Sequence, residues 1–128
     1  LLDRVPSRST QTRVYWTRST VYRYLKARDQ EIADLEKTAA LDPSYQGRLR
    51  HAGGLRDLDE GRPADAVREF TAALAEEPEH ADSLCERGKA KLLLGDRPGA
   101  LEDLEAGFRK RPELKPYYQS EWRRAKGE

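Results

Sequence analysis

The chain has 128 residues, enough for one domain or a short repeat array and too few for two ordinary domains that each bury a core. Charged residues make up 37% of it, yet 24 Lys and Arg nearly cancel 23 Asp and Glu, and the formal charge of +1 nominates neither nucleic acid nor a membrane surface as partner. A single Cys85 and two histidines, His51 and His80, exclude a disulfide scaffold and a structural zinc site, and the longest aliphatic run, Leu92-Leu93-Leu94, falls far short of the roughly 18 apolar residues that span a bilayer.

Residues 1–11 carry a Pro and no helical period, so they read as an irregular arm, with ordered structure expected from about residue 12. The visible chain reads as soluble, with the cytoplasm as default compartment; because it begins at Leu1 without a Met, a removed signal or anchor stays open. Charge is unevenly spread. Residues 1–30 hold 7 basic and 2 acidic residues, leaving +5, while residues 31–128 hold 17 basic and 21 acidic, leaving −4.

Residues 12–46 suggest a divergent repeat. Its first helix would hold Tyr15, Trp16, Tyr22, Tyr24 and Leu25, and its second an apolar face of Ile32, Leu35, Thr38 and Ala39 ending before Pro43. No Gly divides Leu25 from Ile32, so two arrangements are open: a tight turn centred on Asp29, or one long helix. From residue 47 the repeat is plain. Shifting 47–80 by 34 residues onto 81–114 sets Gly54 on Gly88, Gly61 on Gly95, Ala66 on Ala100 and Pro78 on Pro112, with Val67 on Leu101 and Phe70 on Leu104. Each copy reads as two helices parted by Gly61-Arg62-Pro63 or Gly95-Asp96-Arg97-Pro98, where Pro suits a first helical turn whose N–H groups lack partners anyway. A last amphipathic stretch, residues 115–126, with Tyr117, Tyr118, Trp122 and Ala125, predicts a capping helix over the final pair.

This pattern resembles the tetratricopeptide repeat family, whose 34-residue unit favours Gly at position 8, Ala at 20, an aromatic or Leu at 24, Ala at 27 and Pro at 32. The first full unit supplies Gly54, Ala66, Phe70, Ala73 and Pro78; the second supplies Gly88, Ala100, Leu104 and Pro112, with Gly107 in place of Ala. The departures are Arg50 where a large apolar residue is expected (Leu84 in the next unit), Asp57 and Lys91 in place of Tyr, and, in the divergent unit, Ser19 for Gly and Glu31 for Ala. The resemblance implies an all-α, right-handed superhelix of antiparallel helix pairs, about seven helices, forming one domain over residues 12–128.

The resemblance also implies a concave groove lined by the first helix of each unit. Carried onto this sequence, its positions are Arg13, Trp16, Thr20, Arg23 and Tyr24, then Arg48, His51, Leu55, Leu58 and Asp59, then Asp82, Cys85, Lys89, Leu92 and Leu93. An extended acidic peptide with an apolar anchor complements the basic, aromatic amino end of such a groove. Chaperone-binding members hold a terminal carboxylate with paired Lys and Asn; here Leu55, Lys89, Ala52 and Glu86 stand at the places compared and the chain has no Asn, so that clamp is absent. The alternative is that Tyr15, Trp16 and Tyr22 are core residues of a degenerate repeat.

His51 and Cys85 fall at one repeat position in successive units, which brings a histidine-activated thiolate to mind, but no orienting third residue, phosphate loop or nucleophile elbow accompanies them. The acidic clusters Asp57/Asp59/Glu60 and Glu76/Glu77/Glu79 read as solvated surface. Arg8, Arg13, Arg18, Arg23 and Arg28 recur every five residues among aromatics, a mix suited to single-stranded nucleic acid, but that spacing spirals them around a helix instead of aligning them. The sequence therefore reads as a non-catalytic interaction module without cofactor or metal. Its expected partner is a protein or peptide, with self-assembly through the amino-terminal helices as the alternative.

Overall fold

The computed structural model describes residues 5–128. The helices are α1 (Arg8–Tyr24), α2 (Arg28–Leu41), α3 (Gln46–Asp59), α4 (Pro63–Glu76), α5 (Ala81–Leu93), α6 (Arg97–Lys110) and α7 (Gln119–Ala125); 3₁₀ turns at Pro43–Tyr45 and Pro112–Tyr117 precede α3 and α7. Helices α1/α2, α3/α4 and α5/α6 form three antiparallel pairs, stacked so that α2 meets α3 and α4 meets α5.

Two expected boundaries change. Helix α1 begins at Arg8, inside the expected arm, because the Ser7 hydroxyl accepts from the Thr10 amide at 3.2 Å and satisfies one of the orphan N–H groups of the first turn. Residues 1–4 of that arm lie outside the described residues. At the carboxyl end the expected single helix over 115–126 is a 3₁₀ turn followed by α7, since Pro116 has no N–H to donate to a helical ladder there.

The divergent unit is a true helix pair, parted by a turn at Leu25–Ala27 and not at Asp29. Lys26 sits at φ 59°, at the repeat position filled by Gly61 (φ 73°) and Gly95 (φ 84°). A lysine thus takes the left-handed conformation for which the other units use glycine.

Small residues at the pair crossings explain why the pairs close. A Cβ on Gly54 would lie 2.6 Å from the Phe70 ring, and one on Gly88 would lie 3.0 Å from both the Ala100 carbonyl and Leu104. Ala66, Ala100, Phe70 and Leu104 are fully buried, so a methylene added at these crossings overpacks the pair at a cost of about 1–3 kcal/mol. In the divergent unit Ile32, Leu35, Thr38 and Ala39 are buried as expected, and Ser19 fits the Gly position by donating its hydroxyl to the Trp16 carbonyl at 2.6 Å.

Charge marks the same register. Arg18 forks onto the buried Asp34 with two 2.8 Å bonds, and Arg87 forks onto the buried Asp103 at 2.7 and 2.8 Å, at matching positions of the first and third units. In the middle unit Glu69 holds the acidic place and Arg50 reaches it at 3.6 Å. The other departures are also ion pairs: Lys91 meets Asp103 at 3.0 Å and Asp57 meets Arg62 at 3.1 Å. Asp57 is buried, which corrects its reading as solvated surface.

Candidate functional site: a groove along the first helices

Helices α1, α3 and α5 lie side by side and share one surface. On it the Arg48 guanidinium sits 5.9 Å above the Trp16 ring, which meets Tyr45 at 5.0 Å with the rings tilted by 47°, while Arg48 Nε donates to Glu77 at 3.1 Å. Arg23, exposed, has no carboxylate partner among the described residues. Between these helices Trp16, Ser19, Arg23, Glu31, Leu35, Arg48, His51, His80 and Asp82 line a narrow cleft of about 60 Å³. A larger pocket of about 590 Å³ opens at the amino edge over Trp16, Leu41 and Tyr45, rimmed by Arg8 and Arg13.

A polar knot lies under the middle of the groove. His51 Nδ1 is 2.8 Å and His80 Nδ1 2.6 Å from the same Ser83 hydroxyl, and the two rings meet edge-on at 4.9 Å. Ser83 has one proton to donate and two lone pairs to offer, so at most one imidazole accepts from it and at least one donates its Nδ1–H to the hydroxyl oxygen. Burial first, and then the neighbouring His80 and arginines, pushes His51 down to about 3, so it is neutral at physiological pH. Burial and Arg48 push His80 down as well. Glu31, beside the cleft, is pushed up by burial against the pull of Arg28, which it meets at 2.9 Å.

Toward α7 the surface changes sign. Asp82 pairs with Arg111 at 3.2 Å, and Glu86 accepts from the Tyr118 hydroxyl at 2.6 Å, a bond that clips the capping segment onto α5. Burial raises both Glu86 and Tyr118.

The expected groove residues divide accordingly. Arg13, Arg23 and Tyr24 are exposed, whereas Trp16, Thr20, Arg48, Asp82 and Lys89 are half-buried. Trp16 does two jobs, packing on Ile32, Leu35 and Ala52 while staying half-exposed. Leu55 leans on Ala66, Phe70 and Ala90, and His51 is committed to Ser83 and to the Phe70 ring at 5.4 Å. Cys85 does not line the groove. It is fully buried with Ala81, Ala100 and Leu104, because α6 approaches so closely at Gly107 that a Cβ there would lie 2.5 Å from the sulfur. Burial and then Asp82 push its thiol up to about 12, and with His51 neutral the imagined thiolate–imidazolium pair has neither charge at pH 7. No local sequence signal pairs Ser83 with His51 and His80, or Glu86 with Tyr118. Only the stacking register, which sets His51 against Ser83 and Glu86 against Tyr118 at a common separation of 32 residues, points to them.

No protein-family model matches the chain. Over 83 residues, 62% of its length, it is 35% identical to the DnaJ protein P58IPK homolog A of Oryza sativa subsp. japonica, of which it spans only 17%. Its fold superposes on the first TPR of Spaghetti (RPAP3), solved bound to the HSP90 peptide SRMEEVD, with a TM-score of 0.77 at 19% identity over 93% of this chain and 95% of that one. The second TPR domain of human RPAP3, solved with the HSP70 peptide SGPTIEEVD, gives a TM-score of 0.72 at 18% identity over 94% and 98% of the two chains. The three stacked pairs and their capping helix therefore form a tetratricopeptide-repeat superhelix, as the 34-residue spacing predicts.

Proposed function

We propose that this chain is a non-catalytic interaction module that receives a protein segment along α1, α3 and α5. The observation that carries this reading is the open amino half of the groove, where Arg13 and Arg23 stand without carboxylate partners among the described residues beside the half-buried Trp16 and Tyr45. Guanidinium groups and flat aromatics complement an acidic peptide with an apolar anchor. The similar domains hold peptides ending in EEVD, which supports a peptide ligand of that character. The carboxyl half carries Asp82 and Glu86, which disfavour a carboxylate, so the acidic residues of such a peptide belong over α1 and the start of α3.

The test is fluorescence anisotropy with labelled SRMEEVD and with a scrambled, charge-neutral control. Arg13→Glu with Arg23→Glu, both exposed and remote from the core, lowers affinity for the acidic peptide at least about tenfold and leaves the melting temperature unchanged. Binding that is insensitive to this double reversal, or equal for the neutral control, overturns the reading.

A further inference from the structure

We infer that the crevice between the end of α6 and the capping segment is a binding site for a small aromatic carboxylate. The site is separate from the peptide groove. Glu105, Phe108 and Arg109 of α6, Pro112 and Lys115 of the second 3₁₀ turn, and Trp122 of α7 line it, and no residue of α1, α3 or α5 does. Its volume is about 310 Å³, at the lower end of the range of pockets that take small molecules. The 3₁₀ turn, standing where a continuous helix was expected, supplies one wall, and α7 brings Trp122 to the other.

Two independent observations define the ligand's chemistry. The first is a donor without an acceptor. Trp122 meets Phe108 edge-on, with ring centroids 6.4 Å apart, and its Nε1–H is shielded from solvent with no hydrogen-bond partner; no other buried side-chain nitrogen or oxygen is left so among the described residues. Buried polar groups in native proteins almost always find a partner, and one that does not forfeits the hydrogen bond it had to water. The second is uncompensated positive charge. Lys110 is engaged by Glu79 at 2.7 Å and Arg111 by Asp82 at 3.2 Å, whereas the exposed Arg109 and Lys115 meet no carboxylate among the described residues. Lys115 Nζ instead lies 4.2 Å from the centroid of the Trp122 ring. That attraction is weak at an exposed site, and a long exposed side chain changes rotamer within nanoseconds, so the ammonium turns from the indole to an incoming anion and uncovers the ring as it does.

A carboxylate satisfies both demands, accepting from Trp122 Nε1 with one oxygen and from Arg109 or Lys115 with the other, while Phe108 and Pro112 cover an aromatic body. Glu105 on the rim sets the charge of the ligand. Two cations, Arg109 and Lys115, against this one carboxylate leave the lining at +1, which a monoanion neutralises and a dianion exceeds.

The probe is phenylacetate, titrated into the isotope-labelled intact chain while the indole N–H resonances of Trp16 and Trp122 are followed; Trp122→Phe assigns them. Phenylacetate moves the Trp122 indole proton downfield, as a new hydrogen bond does, and saturates with a Kd below about 1 mM, while the Trp16 resonance stays in place. Acetate, which lacks the ring, and phenylethanol, which lacks the charge, bind at least about tenfold more weakly. Arg109→Gln with Lys115→Gln weakens phenylacetate at least about tenfold and leaves the Trp16 resonance and SRMEEVD binding unchanged, which separates loss of this site from loss of the groove. Four results would each overturn the proposal: no saturable shift at Trp122, equal binding of phenylethanol, equal affinity of the double variant, or a shift at Trp16 instead, which puts the ligand in the groove.

Discussion

At the scale of single residues, the knot of His51, Ser83 and His80 shows how a groove position becomes structural. His51 is buried against Ser83, and that burial holds it at about 3 where an unfolded chain has about 6.5. With the folded value depressed, the unfolded state binds the extra proton first, so this contribution to stability is complete above pH 6.5 and is lost as pH falls toward 3. The slope for one such histidine approaches about 1.4 kcal/mol per pH unit in that window. Glu31 and Glu86, raised by burial, act in the opposite sense, so the comparison must be with a variant. Urea unfolding at pH 7 and pH 5 gives it: His51→Gln narrows the acid loss of stability by about 2 kcal/mol relative to the parent. An unchanged pH dependence places the proton elsewhere.

Elements repeat their devices with different residues. The turn within each pair needs one residue with positive φ, and the first unit uses Lys26 where the others use Gly61 and Gly95. A side chain in that conformation costs roughly 1–2 kcal/mol. Lys26→Gly therefore stabilises the chain by about 1 kcal/mol, seen as a rise of about 4 °C in a thermal melt, with the glycine's extra freedom in the unfolded state offsetting the rest. A fall in melting temperature would mean that the Lys26 side chain contributes contacts of its own. The divergent unit's turn was obscure for this reason: a lysine carries no turn signal, and only the closure of α1 onto α2, fixed by the Arg18–Asp34 fork, requires the left-handed residue.

Taken whole, the molecule places its basic arm of charge on α1 and its acidic residues on the helices behind, which separates the docking reading from nucleic-acid binding. The arginines of α1 do not form one stripe: Arg18 is spent on Asp34, whereas Arg13 and Arg23 stand by the groove. A labelled single-stranded oligonucleotide accordingly shows no binding at 50 mM salt in anisotropy; a Kd below about 1 μM at 150 mM salt would exceed ordinary non-specific attraction and displace the peptide reading. The superhelix itself was legible in the residue order, because close crossings at Gly54, Gly88, Ala66 and Ala100 admit only small side chains, and that steric demand is written at a fixed spacing in the chain. The use of each groove position was not. Whether His51 faces a ligand or Ser83, and whether Cys85 opens to solvent or lies under Gly107, depend on which neighbouring helix approaches and how closely. Hydrogen bonds between units join residues about thirty apart, and packing distances, not local periodicity, decide which of those side chains remain free to bind.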